Sequence, residues 1–192
     1  GAERLFIKDV DGLLTPERTR TLVPAIMKKI EGIPVEIHGH CTTGLAPICY
    51  LEAIKHGVCT VHTAVSPLAN GPSQPSAENI LRNARFLGFS TNLNEKSLKA
   101  VADHFRYVAK REGFPTGIPV EYDPFQYEHQ VPGGMMSNYK AELAKRSLDG
   151  QLKEILKEIA RIRKELGYPI MVTPLSQYIG AQAILNHTAG ER

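Results

Sequence analysis

The first half of the chain alternates between runs typical of strands and runs typical of helices, and this restricts its fold most. Runs at 5–10, 34–40 and 58–64 are mostly apolar or β-branched and predict strands, the first of them buried on both faces of a sheet. Helical segments at 15–30 and 46–55 lie between them. Because strands and helices alternate with short connections, the pattern predicts a parallel sheet or barrel with its helices outside.

Capping residues support these boundaries. Thr15 followed by Pro16 is a typical helix start, and Pro24 within the same helix predicts a kink.

A loop rich in Pro, Gly and Ser covers 66–76. Near residue 93 the architecture changes, and the remainder is mainly helical. The predicted helices there and just before are 76–87, 94–112, 135–147, 151–166 and 174–187.

The second predicted strand ends in two histidines separated by one glycine. Side chains at i and i+2 of a strand point to the same face, so His38 and His40 converge beyond Gly39 at the strand's C-terminal end. Two imidazoles on one face are half of a metal site. The same pair could also be a hydrogen-bonded core feature or a solvated edge, and the pair alone leaves these interpretations open.

The first predicted strand carries a lysine. Lys8 precedes Asp9 in an otherwise apolar run, and a buried lysine is costly unless it is paired or loses its charge. One interpretation is that Lys8 extends to solvent or pairs with Asp9. The other is a chemical role in which the ammonium charge is removed.

Composition sets the class of protein. The chain has 192 residues, 42% hydrophobic and 22% charged, enough for one domain or one and a fraction. A net charge of +3, with basic residues interleaved with acidic ones, does not suggest nucleic-acid binding. Three cysteines without metal-type spacing are typical of reduced thiols. No apolar run is long enough for membrane insertion, so we expect a cytoplasmic protein.

Five sequence blocks, in one order along the chain, carry a resemblance to a known family. They are Ile7-Lys8-Asp9 with Gly12-Leu13-Leu14-Thr15-Pro16, then His38-x-His40-x-Thr42-x-Gly44, Ser73-Gln74-Pro75-Ser76, Pro132-Gly133-Gly134-Met135-x-Ser137-Asn138 and Val172-Thr173-Pro174-x-Ser176-Gln177. In these blocks the chain resembles the carboxyltransferase domain of biotin-dependent enzymes. That family includes pyruvate carboxylase and its separate B subunit, the oxaloacetate decarboxylase alpha subunit and the metal subunit of transcarboxylase.

The resemblance implies a fold. The family domain is an α/β (β/α)₈ TIM barrel followed by a helical funnel domain. Residues 1–93 would be the later strands and helices of the barrel, its C-terminal half, and 94–192 the start of the helical extension. Lys8 would lie on the fifth strand and His38 on the sixth. With no counterpart of the first four strands, the chain is expected to be an internal fragment.

The resemblance also implies a metal site. Lys8, carboxylated by carbon dioxide, would bind a divalent metal together with His38 and His40. Carbamate oxygen and imidazole suit zinc, manganese or cobalt. The family's fourth ligand, an aspartate of the first barrel strand, has no counterpart that can be assigned here.

Catalytic and biotin-binding roles fall near the end of the chain. By resemblance, Thr173 would move a proton between the pyruvate methyl group and biotin, while Lys8 completes the metal site. Ser176 and Gln177 would contact biotin, although single-chain carboxylases commonly have lysine in place of Gln177. An alternative for Thr173 is that, with Pro174 at the first helical position, it caps the last helix.

Two positions depart from the family pattern. Asp11 stands where relatives usually have alanine, and His62 where they usually have aspartate. Either could alter the hydrogen bonds that orient the metal ligands. His104, His129 and His187 have no motif support and are predicted to be surface or interface residues.

The leading functional prediction is a biotin-dependent carboxyltransferase, a lyase or ligase in class. It would move a carboxyl group between carboxybiotin, held on a separate carrier domain or subunit, and pyruvate or oxaloacetate. One alternative is a metal-dependent acyl-CoA lyase or synthase barrel; another is a truncated, non-catalytic assembly fragment. We expect the isolated chain to be inactive, and to require a homo-oligomer or a complementary N-terminal half-barrel.

Overall fold

The computed structural model describes residues 1–30, 32–145 and 147–190. In chain order its elements are β1 (Leu5–Asp9), α1 (Pro16–Lys29), β2 (Val35–Gly39), α2 (Ala46–Lys55), β3 (Thr60–Val61), a 3₁₀ turn (Ser66–Leu68), α3 (Ala77–Phe86), α4 (Glu95–Glu112), α5 (Gln126–His129), α6 (Gly133–Lys145), a second 3₁₀ turn (Asp149–Gln151), α7 (Leu152–Glu165) and α8 (Leu175–Ala189). They form two compact units, Gly1–Asp123 and the part of the chain that begins at Pro124.

The first unit contains a parallel sheet, which confirms the α/β prediction at that level. The strand order is β1-β2-β3, and Lys8 is paired in register with His38. β3 has two residues, fewer than the predicted strand at 58–64. Beyond it the chain leaves β2, and Ala64 instead forms an isolated parallel bridge with Ser76.

The two faces of the sheet differ. Ile7, Val35 and Ile37 lie on the face that packs against the helices, in a core with Val23 and Tyr50. This packing gives the sheet its stability, because apolar area is removed from water there.

The opposite face of β1 is not covered. Phe6 is 50% exposed and Lys8 is exposed, so the expectation of a strand buried on both faces is wrong. The Asp9 carboxylate accepts hydrogen bonds from the backbone N–H groups of Leu13 and Leu14, at 2.8 and 2.9 Å. Since the Lys8 ammonium reaches solvent, the cost of burying a charge does not arise for it.

The predicted helix starts are confirmed at three caps. The side chains of Thr15, Ser76 and Asn94 each accept a hydrogen bond from a backbone N–H of the first turn that follows. Helix α1 continues through Pro24 to Lys29. Helix α4 lies within the first compact unit, although it was predicted to open a helical domain at 94. The assignment of 1–93 to a barrel and 94–192 to a helical extension stays a prediction.

The second unit has its own core, formed by the helices from α5 onward. Its fully buried side chains include Leu143, Ile155, Ile159 and Met171. His129 is also buried, and its Nδ1 accepts from the Val131 N–H at 3.0 Å. The prediction of a surface or interface position for His129 is therefore wrong, because this short helix turns the ring into the core of the unit. No helix in the described ranges combines the length and apolar character needed to cross a bilayer.

Candidate functional site

The predicted histidine pair converges at the end of β2. The Nε2 atoms of His38 and His40 lie 3.3 Å apart. His40 follows the last strand residue, but its N–H still donates to the Asp9 carbonyl at 3.0 Å, which continues the parallel pairing. Gly39 between them leaves room for the Tyr50 ring, since an added Cβ would lie 3.4 Å from a ring carbon.

The separation of the two Nε2 atoms fits a shared metal ion. A Zn–N bond is about 2.0–2.1 Å, so two ligands at a tetrahedral angle stand roughly 3.3 Å apart. The observed 3.3 Å between His38 and His40 matches that value. The same distance also suits a hydrogen bond between the two rings, whose donor depends on the tautomers.

The outer nitrogens of both rings have partners. His40 Nδ1 lies 2.6 Å from the Pro72 carbonyl oxygen, which can only accept, so Nδ1 carries the proton. In the neutral ring the lone pair is then on Nε2. His38 Nδ1 lies 3.2 Å from His62 Nδ1. A backbone carbonyl or another acceptor on the outer nitrogen is typical of metal-binding histidines.

Both rings are held in the neutral form. Burial first, and then nearby His40, His62 and Lys8, together lower the pKa of His38 to about 4. Burial also lowers the pKa of His40, against the opposite effect of its bond to the Pro72 carbonyl. Neutral imidazoles present lone pairs, which is the form that binds metals.

Gln74 completes the immediate surroundings of the pair. Its amide nitrogen lies 3.1 Å from His40 Nε2 and 3.4 Å from His38 Nε2. The amide has two N–H donors, so both contacts are consistent with lone pairs on the two ring nitrogens. The Ser-Gln-Pro-Ser block was noted in the sequence without a role for Gln74. Gln74 reaches His40 because the loop that carries it is tied to the end of β2. The Cys41 N–H donates a hydrogen bond to the Ser73 carbonyl at 2.8 Å.

Lys8 lies on the same face of the sheet as His38. The two residues are register partners on neighbouring parallel strands, and Lys8 acts electrostatically on both imidazoles. Among the described residues, no three His, Cys, Asp or Glu side chains are grouped so as to hold a metal ion. The third donor of the predicted site, Lys8, is outside those four residue types.

The turn after β1 packs against the backbone of His40. Gly12 has φ +65°, and an added Cβ would lie 2.7 Å from the His40 carbonyl oxygen. The Thr42 hydroxyl donates to the Asp11 carbonyl at 2.6 Å. Asp11, one of the two departures from the family pattern, is buried in this turn. The turn therefore fixes the backbone position of His40.

The remaining predicted site residues lie in the second unit. Thr173 and Gln177 are exposed. Helix α8 begins at Leu175 with Pro174 in the N-cap position, so the alternative interpretation of Thr173 as that helix's cap is wrong. Ser176 is fully buried, and its hydroxyl has no hydrogen-bond partner among the described atoms. The biotin contacts of Ser176 and Gln177 stay predictions.

The fold has a counterpart among solved structures. The structure matches the carboxyl transferase domain of Rhizobium etli pyruvate carboxylase, solved with pyruvate and biocytin, with a TM-score of 0.88. The match covers 100% of this chain and 32% of that chain, at 24% sequence identity. At this identity the likeness concerns the fold, an α/β arrangement found within a carboxyltransferase domain.

Sequence relatives make the assignment more particular. The chain is 40% identical, along its full length, to the B subunit of pyruvate carboxylase from Methanocaldococcus jannaschii. It is 33% identical to the methylmalonyl-CoA carboxyltransferase 5S subunit of Propionibacterium freudenreichii. Residues 127–191 match the family described as the conserved carboxylase domain. The expected resemblance is confirmed: this chain is similar to part of the carboxyltransferase domain of pyruvate carboxylase-type enzymes. It covers 34% and 38% of the lengths of these two relatives.

Proposed function

We propose that this chain contributes the metal-binding strand ends and a proton-transferring hydroxyl to a biotin-dependent carboxyltransferase. The enzyme would move a carboxyl group between carboxybiotin and pyruvate or oxaloacetate. The observation that carries the proposal is the 3.3 Å approach of the two Nε2 atoms of His38 and His40. The relatives named as carboxylase and carboxyltransferase subunits support the same reaction class.

Three side chains would hold the metal. His38 and His40 supply neutral nitrogens, and Lys8, as a carbamate formed with carbon dioxide, supplies an oxygen. Zinc, manganese or cobalt suits this set. When bound, the ion acts as a Lewis acid that favours the enolate of the keto acid. Lys8 is exposed, so carbon dioxide can reach its amine.

Thr173 would hold the proton that passes between the pyruvate methyl group and the biotin ureido nitrogen. A hydroxyl is both donor and acceptor, so it can give and receive that proton without a net change of charge. Thr173 is exposed and lies outside the helix that follows it, so its hydroxyl is not used as a helix cap. Gln177, exposed just after it on α8, would contact biotin, whereas Ser176, the other predicted contact, is buried in this structure.

A binding experiment tests the metal site. Titration of the metal-free chain with Zn²⁺ by calorimetry should show one site, and His38→Ala or His40→Ala should each remove it. His104→Ala is the control, because His104 is exposed on α4. Unchanged Zn²⁺ binding in both strand-end variants would contradict the proposal.

The reaction is tested in a chimera. The matched third of the Methanocaldococcus jannaschii protein is replaced by this chain, and oxaloacetate decarboxylation is measured with free biotin. Lys8→Ala should abolish the activity, and Thr173→Ala should lower kcat by about 100-fold or more, as expected for loss of a general acid–base group. Lys28→Ala, on the exposed side of α1, is the matched control. Full activity in Lys8→Ala and Thr173→Ala would overturn the roles.

A further inference from the structure

The uncovered face of the sheet carries a continuous line of polar side chains that ends at the metal-binding pair. His62 Nε2 lies 3.0 Å from one carboxylate oxygen of Glu36, and His62 Nδ1 lies 3.2 Å from His38 Nδ1. The other oxygen of Glu36 accepts from Arg4 at 2.5 Å. The edge of Phe6 contacts the His62 ring, with centroids 5.1 Å apart. We call this line the Glu36–His62–His38 chain.

For a neutral His62 ring, the partners indicate one assignment of the protons. A carboxylate only accepts, so His62 Nε2 carries a proton, and in the neutral His62 ring Nδ1 must then be an acceptor. His38 Nδ1 is the only group positioned to donate to it in this pair, so it carries the second proton. The lone pair of His38 is therefore on Nε2, the atom that faces His40.

From this geometry, and resting on the proposed metal site, we propose that His62 and Glu36 are positioning residues for the metal. They hold the His38 ring in the tautomer and orientation that presents Nε2 to the ion. The chain would thus orient its metal ligand through a second imidazole, 3.2 Å from His38 Nδ1. Arg4 and Phe6 hold the far end of the line, which keeps the His62 ring from rotating.

Variants of His62 separate positioning from general stability. His62→Leu removes both nitrogens and should weaken Zn²⁺ binding to the chain by about 10–100-fold, the usual effect of losing such a partner. His62→Gln should restore most of the affinity, because its amide offers an acceptor to His38 and a donor to Glu36. The matched control is His56→Leu, which removes a histidine of equal exposure (30% against 31%) that pairs with Glu52 at 3.2 Å away from the site. Its Zn²⁺ affinity should not change.

A metal-free readout keeps this test distinct from that of the proposed function. Nitrogen-15 NMR of the apo chain should show the proton of His38 on Nδ1, and His62→Leu should shift it toward a mixture of tautomers. A proton on Nε2 in the unchanged chain would overturn the inference, as would equal Zn²⁺ affinity in His62→Leu and the unchanged chain. If the unchanged chain binds no Zn²⁺, the proposed function fails. The tautomer measurement still tests whether the Glu36–His62–His38 chain sets the position of the His38 proton.

Discussion

At the scale of single residues, the site depends on which nitrogen of each histidine carries a proton. The Pro72 carbonyl fixes the proton of His40, and in our proposal His62 fixes that of His38. Arg4 and then His62, through their hydrogen bonds, hold the pKa of the Glu36 carboxyl below its ordinary value. The charge at the far end of the line is thus kept negative, which favours the N–H of His62 pointing toward it.

The depressed pKa of His38 predicts a pH dependence of stability. Its value falls from 6.5 in the unfolded chain to about 4 in the fold, so between these values the unfolded chain binds more protons. Without metal, the free energy of unfolding should be at its full value above pH 6.5 and fall as pH drops toward 4.

Urea unfolding across this pH range measures the effect. His38→Asn should flatten the dependence, leaving the smaller part that comes from His40 in the same direction. His104→Asn, on the exposed surface of α4, should keep the dependence of the unchanged chain. An equally steep fall in His38→Asn would show that His38 is not the group responsible.

At the scale of elements, the site is built from strand ends and the turns behind them. The sequence predicted β2 and its two histidines on one face from the i, i+2 spacing alone, because a period of two is set by local backbone geometry. It did not predict that Gln74 would meet them, and only the family resemblance linked His62 to the orientation of the metal ligands. Those contacts depend on the path of the chain after β3, which no local period encodes.

The turn after β1 can be tested through its glycine. A Cβ at Gly12 would lie 2.2 Å from the Thr42 hydroxyl, so Gly12→Ala must displace the segment that carries His40. We expect it to lower the free energy of unfolding by about 1–3 kcal/mol more than the control, the usual cost of overpacking. It should also weaken Zn²⁺ binding.

Gly88→Ala is the control for backbone strain. Gly88 also has a positive φ, +89°, but no atom lies within 4 Å of an added Cβ. Chemical denaturation of both variants isolates the steric effect at Gly12. Equal losses in the two variants would mean that backbone conformation, and not the contact with Thr42, sets the cost.

At the scale of the whole molecule, two compact units each carry a core of their own. The sequence predicted the alternating first part and the helical second part, since periodicity and caps are visible in it. It placed the change of architecture near 93, whereas α4 is in the first unit, which extends to Asp123. Which unit a helix packs into depends on long-range contacts, and the cap at Asn94 marks only where that helix begins.

The core of the second unit predicts the effect of one substitution. An added Cβ at Gly180 on α8 would overlap the Tyr139 hydroxyl of α6, at 1.1 Å. Gly180→Ala should therefore destabilise the unit by about 1–3 kcal/mol. Gly134→Ala, on α6 with no atom within 4 Å, should be neutral or slightly stabilising. Thermal unfolding followed by circular dichroism compares them, and equal melting temperatures for the two variants would contradict this packing.

The hydroxyl of Tyr50 accepts from the Gly39 N–H at 2.7 Å and lies 2.8 Å from the His62 carbonyl oxygen. It therefore links the C-terminal ends of β2 and β3 through hydrogen bonds to main-chain atoms only. A framework secured in this way tolerates exchange of the side chains that it presents. Evolution can then replace the residue at position 62, and so change the partner of the His38 ring, while the two strand ends stay in place.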